Sequence, residues 1–223
     1  MTTSVTTVLG EKPSGELGIT MTHEHFALAL SPAQTVDDRR ALEQELRDLA
    51  ALGCRTVIEL SNIGMGRDVR RLSELARTSD MNIVAATGFY TQPWHPAWVA
   101  DCSVEELTAL MVSEIEQGID GTEIRAGVIG EMGTSQEAIT PDEEKALRAA
   151  CQAHLETGKP ISTHCQLGHL SREQLDILEQ EGVDPRCVVI GHLDLTPDFA
   201  EVLDVARRGA FVELDTFGKE AYQ

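Results

Sequence analysis

Two histidines one residue apart, His23 and His25 in the segment MTHEHF, form the first chelating pattern in the chain. On an extended strand alternate side chains share a face, so both imidazoles can reach one cation while Glu24 points away. Three further metal-capable residues end later apolar runs: Glu131 in GVIGE, His164 in PISTH and His192 in CVVIGH. Four imidazoles and a carboxylate suit zinc or a similar borderline metal better than magnesium or calcium, which take oxygen shells. The set is large enough for two cations, one on His23 and His25 and the other on His164 and His192. Glu131 can bridge them, because its two oxygens can bind separate ions. Paired cations roughly 3.5 to 4 Å apart activate a shared hydroxide and polarise a substrate oxygen, which is hydrolytic chemistry.

Such a set needs a scaffold that brings strand ends together. Apolar runs at 17–23, 54–60, 82–87, 126–131, 160–165, 187–192 and 210–215 read as seven strands alternating with helical patterns, the signature of βαβ units. Thr140 with Glu143 reads as a capping box, Pro141 takes the first helical position and Gly158 lies just past the end. Leu147, Ala150, Cys151 and Leu155 would form that helix's buried stripe. Ser171 with Gln174 reads as the opening of the next helix, closed near Gly182. Pro197 opens another, carrying Val202, Leu203 and Ala206 and stopping at Gly209. Residues 1–16 read as a hairpin. His25, Glu131, His164 and His192 end the first, fourth, fifth and sixth strands, and a (β/α)8 TIM-type barrel gathers such ends around one mouth, whereas an open sheet spreads them. The fold class is therefore α/β, with about seven of the eight barrel strands in this chain.

The formal net charge of -19 argues against a nucleic-acid surface or attraction to anionic lipid. No stretch approaches the roughly 18 apolar residues of a membrane span, and the N-terminus lacks a basic leader, so a cytoplasmic location is the default. The five cysteines are scattered without a CxxC pair, which points to neither a disulfide framework nor a thiolate zinc site. Cys165, next to His164, reads as structural, since nothing activates it. His154, on a helix, and His169, in a loop, read as satisfied or solvated side chains. The long aromatic loop 88–102 carries Trp94, His95 and Trp98, and reads equally as a substrate lid or a packed surface loop. Asp215 reads as a hydrogen-bond partner of a ligand histidine.

The segments MTHEH, TGFY, GIDGTEIRAGVIGEMGTS, PISTH and VIGHLD together resemble the phosphotriesterase-related family of the amidohydrolase superfamily. The likeness covers almost the whole chain and is most specific over residues 118 to 135. It implies that His23 and His25 bind the more buried of two divalent ions, zinc by expectation, that His164 and His192 bind the more exposed one, and that Glu131 bridges them. It also implies that Tyr90 lines the substrate pocket. The expected protein is a cytoplasmic, catabolic hydrolase acting on a small molecule with an ester, lactone, amide or phosphoester centre, with a homodimer as a compatible assembly. Two departures stand out. Glu131 replaces the carboxylated lysine of many relatives, which puts activity on synthetic organophosphates in doubt. The family's general-base aspartate comes from the eighth strand, expected beyond residue 223, so no catalytic residue is assigned here. The expectation is a single hydrolase barrel domain over 1–223 that lacks the eighth strand and terminal helices. The rival reading is a catalytically incomplete metal- or ligand-binding fragment.

Overall fold

The computed structural model describes residues 3–31, 34–36 and 38–218. The end of the loop expected after the seventh strand, 219–223, lies outside them. The chain divides into two compact units, Met1–Thr87 with Ser113–Val128, and Gly88–Val112 with Ile129–Gln223.

The first unit opens with the expected hairpin, Ser4–Thr7 pairing antiparallel with Gly10–Pro13. Three parallel strands follow: β1 (Ile19–Glu24), β2 (Cys54–Glu59) and β3 (Asn82–Thr87), with β2 paired to both others. β1 begins two residues later than its apolar run, because Gly18 adopts φ 58° and interrupts the extended backbone. Helices α1 (Arg39–Ala51) and α2 (Val69–Ser79) start on Asp38 and Asp68, whose carboxylates accept backbone N–H groups of the first turn. Val69, Leu72, Leu75 and Ala76 give α2 a buried stripe at helical spacing. Leu46, Leu72 and Leu75 are fully removed from water, each contributing about 1.5–3 kcal/mol. Leu60, Val84, Ala86 and Val128 form a core cluster against which Val5 of the hairpin and Ile58 pack.

In the second unit β4 (Val128–Thr134), β5 (Ile161–Cys165), β6 (Val188–Gly191) and β7 (Phe211–Val212) run parallel in that order. Helix α3 (Val104–Glu116) precedes β4 and belongs to the second unit only through Val112, and α4 (Pro141–Thr157), α5 (Ser171–Gln180) and α6 (Phe199–Arg208) follow β4, β5 and β6. The capping box of Thr140 and Glu143 is formed, and Gly158 closes α4 in the left-handed conformation.

Three sequence expectations need correction. Leu155 is 56% exposed, and the buried face of α4 instead takes in Ala146, Ala149 and Ala153. In α6 Val202 and Val205 face inward while Leu203 and Ala206 are exposed, and the cap is Asp198. Ser171 and Gln174 form no capping box: Leu170 stands at the cap position, Ser171 bonds Glu201, and Gln174 turns into the core. Among the described residues no helix is long and apolar enough to cross a membrane.

Candidate metal centre

Glu131 lies in the middle of β4 rather than at its end, because that strand runs on to Thr134. A bulge turns it inward: between Ile129 and Met132 the register on β5 advances by two residues, Ile161 to Thr163, while β4 advances by three. Gly130 permits this. Its φ is 155°, and a Cβ there would stand 2.6 Å from the Ser162 carbonyl oxygen.

Glu131, His164 and His192 are 1%, 8% and 7% exposed. His164 Nδ1 stands 2.9 Å from Glu131 Oε2 and 2.8 Å from His192 Nε2, and the latter is 3.6 Å from the same carboxylate oxygen. A point equidistant from the three atoms lies about 1.8 Å from each, so an ion slightly off their plane reaches the ~2.0–2.2 Å usual for zinc. The opposite ring nitrogens are occupied. His192 Nδ1 stands 2.9 Å from Asp215 Oδ1, which can only accept, and His164 Nε2 stands 2.9 Å from Gln166 Oε1. With both ring protons on those outer nitrogens, the lone pairs of His164 Nδ1 and His192 Nε2 would converge with a carboxylate oxygen. Three converging lone pairs repel one another unless a cation or proton sits among them. Burial lowers the pKa of His164 and so favours the neutral ring that ligates.

His192 follows β6 with φ 64°, a conformation unusual for a residue with a Cβ. Asp215 offsets that strain by also accepting the His192 backbone N–H at 3.2 Å. The aspartate is thus a hydrogen-bond partner of His192 through both its ring and its backbone. Tyr90 Oη lies 3.1 Å from His164 Nε2, with ring centroids 4.6 Å apart. Burial, reinforced by the Glu131 carboxylate, raises its phenol pKa.

In the first unit His23 lies on β1 and His25 immediately past it, both half-buried, with ring centroids 5.4 Å apart. Ser61 Oγ is 3.1 Å from His25 Nδ1. Glu59, fully buried at the end of β2, accepts the N–H groups of Phe26 and Ala27 and holds the chain as it leaves His25. Burial pushes this carboxyl upward in pKa, and His25 and Ser61 act against the shift.

The aromatic loop is pinned. Two short helical turns, Gln92–Trp94 and Ala97–Asp101, are tied to α4 through Glu143, which accepts from Gln92 N–H and Ser135 Oγ–H, and through Lys145, which donates to the Val99 and Ala100 carbonyls. His95 donates to the Tyr90 carbonyl at 2.7 Å and packs on Phe89, while Trp98 stays 43% exposed. His154 is satisfied by the Lys159 carbonyl, and Cys165 is fully buried with its thiol pKa raised by that burial. Sequence reasoning missed Ser61, Gln166 and Gln174. The last is wholly buried and donates to Thr134 Oγ1 and to the His164 carbonyl, tying the ends of β4 and β5 together.

The chain as a whole is similar to known proteins. Residues 3–223 match the model of the phosphotriesterase family. The chain belongs to that family. Within it, the phosphotriesterase homology protein of Escherichia coli (strain K12) is 44% identical over 210 residues, spanning 92% of this chain and 72% of that protein. An N-acetyltaurine hydrolase of Salmo salar is 34% identical over 253 residues, 97% of this chain and 72% of its own length. The crystal structure of a lactonase from Listeria monocytogenes matches with a TM-score of 0.93 at 29% identity, covering 99% of this chain and 74% of that one. The chain is accordingly a hydrolase of the α/β class with the TIM-type barrel fold, about seven of whose strands it contains. The phosphotriesterase family is binuclear and metal-dependent, and the donor set here fits that chemistry.

Proposed function

We propose that this phosphotriesterase-family chain is a binuclear metal hydrolase acting on an ester, lactone, amide or phosphoester of a small molecule. The observation that carries the reading is the convergence of Glu131 Oε2, His164 Nδ1 and His192 Nε2 within 3.6 Å of one another, with the outer ring nitrogens already committed elsewhere. His164 and His192 would hold one ion, His23 and His25 the other, and Glu131 would bridge through its two oxygens. Two such cations, zinc in our reading of the nitrogen-rich set, would supply a shared hydroxide near neutral pH and polarise the substrate oxygen under attack.

The chain's own residues do the rest. Asp215 and Gln166 orient the two rings. Tyr90, beside His164, presents a hydroxyl that can donate to substrate. Among the described residues we assign no general base. Free thiols at all five cysteines accord with a reducing, cytoplasmic setting. We read residues 1–223 as one hydrolase domain, with a homodimer as the assembly to test by light scattering.

The deciding experiment compares the wild-type chain with His23→Ala and His164→Ala. Bound metal is measured by elemental analysis, and turnover on lactones, aryl esters, phosphotriesters and N-acyl amino acids is followed with and without added zinc. Each variant should lose an ion and any hydrolysis the wild type shows. Full metal content and undiminished turnover in either variant would overturn the proposal.

A further inference from the structure

We infer that Gln166 is a positioning residue that decides which nitrogen of His164 faces Glu131 and His192. The inference rests on the metal-centre reading above. A neutral imidazole carries one N–H and one lone pair, so His164 can offer Nδ1 to a cation only while Nε2 keeps the proton. In a ring 8% exposed that N–H needs an acceptor, and Gln166 Oε1 supplies one at 2.9 Å.

The competing group is Tyr90. Its hydroxyl lies 3.1 Å from the same Nε2 and can donate to a lone pair there, which would move the ring proton to Nδ1 and point an N–H at Glu131. An amide oxygen cannot donate, so Gln166 biases the ring towards the ligating tautomer while Tyr90 taken alone does not. A loop glutamine is ordinarily solvated. This one is half-buried and held by its backbone.

Gln166 directly follows β5, its carbonyl accepts the His169 N–H, and the next residues adopt a tight run of positive φ: Leu167 at 52°, Gly168 at 74° and Leu170 at 63°. Two leucines in that region are costly unless the surroundings over-determine them. A Cβ on Gly168 would stand 2.4 Å from the Thr196 backbone nitrogen, so the loop is pressed against the segment following His192. This strained turn directly follows Gln166, whose Oε1 stands 2.9 Å from His164 Nε2.

The test uses the full chain loaded with zinc. Gln166→Met keeps the bulk and removes the acceptor, Gln166→Glu keeps an acceptor oxygen, and Gln166→Lys presents only donors. Zinc retention against a chromogenic chelator should fall roughly 10- to 100-fold in the Met variant and at least as far in the Lys variant, and should stay at the wild-type level in the Glu variant. Two-bond 15N–1H spectra should show His164 protonated at Nε2 in the wild type and the Glu variant, with that signature weakened in the Met variant. Adding Tyr90→Phe to Gln166→Met should recover part of the loss, because the competing donor is gone.

Wild-type retention and an intact Nε2–H signature in the Met variant would overturn the inference. Should the Met variant not fold, equal zinc retention by the Glu and Lys variants would overturn it instead. Retention of zinc by His164→Ala would instead refute the metal-centre reading, so the two failures are distinguishable.

Discussion

Replacing Arg67 with methionine tests how the first unit holds the segment between β2 and α2. Arg67 lies between β2 and α2, with its side chain 4% exposed, and its guanidinium grips both carboxylate oxygens of Glu114 at 2.7 and 2.8 Å. It also donates to the Ala86 carbonyl at 3.0 Å. The contact with Asp120 adds little, since that carboxylate is 60% exposed and screened by water. Methionine fills most of the volume but leaves the Glu114 carboxylate, 7% exposed, without its cation. Breaking one side of a buried ion pair costs about 3–5 kcal/mol. For a chain of this size that lowers the unfolding midpoint by roughly 6–20 °C. Arg67→Met combined with Glu114→Leu removes both charges and should recover most of the loss, since a buried pair is often no better than its apolar replacement. Urea and thermal unfolding followed by circular dichroism would measure all three proteins. A single variant within about 1 kcal/mol of wild type, or a double variant no more stable than Arg67→Met, would refute this account of the pair.

Three other outcomes follow from the geometry. Gly130→Ala should destabilise the chain by about 1–3 kcal/mol through its φ of 155° alone, with the 2.6 Å approach to the Ser162 carbonyl adding to that; calorimetry would check it. Asp215→Asn removes the charge that orients His192 and should weaken zinc retention roughly tenfold in a chelator competition, and an unchanged affinity would remove Asp215 from the centre. Cys54, Cys151 and Cys165 are buried, and burial pushes the Cys151 thiol up to about 12, so a thiol reagent should label only Cys102 and Cys187 in the folded chain. Rapid labelling of all five without denaturant would contradict the core described here.

Much of this molecule is legible along the chain because the relevant physics is local. Short apolar runs between turn residues mark the strands, and the Thr140, Pro141 and Glu143 cluster announces α4 before any packing is considered. Errors arise where a local pattern meets a competing tertiary partner. Ser171 and Gln174 have cap-like spacing, yet Glu201 claims the serine, and Thr134 with the His164 carbonyl claims the glutamine. Leu155 continues the periodicity of α4 into solvent, because nothing packs over the end of that stripe. The β4 boundary was misplaced for a similar reason: a bulge cannot be read from hydrophobicity, and it moved Glu131 from the strand end to its middle.

By itself the sequence determined the candidate donor residues, their order along the chain and the apolar runs that carry them, since residue chemistry and local hydrophobicity are properties of short segments. Tertiary structure alone decided which nitrogen each imidazole presents. Ser61 reaches His25 across 36 positions and Asp215 reaches His192 across 23. Gln166, only two residues beyond His164, meets its ring nitrogen at the start of the turn that follows β5. A proton on one side of an imidazole is set by whatever acceptor the fold brings there, and no spacing rule encodes that.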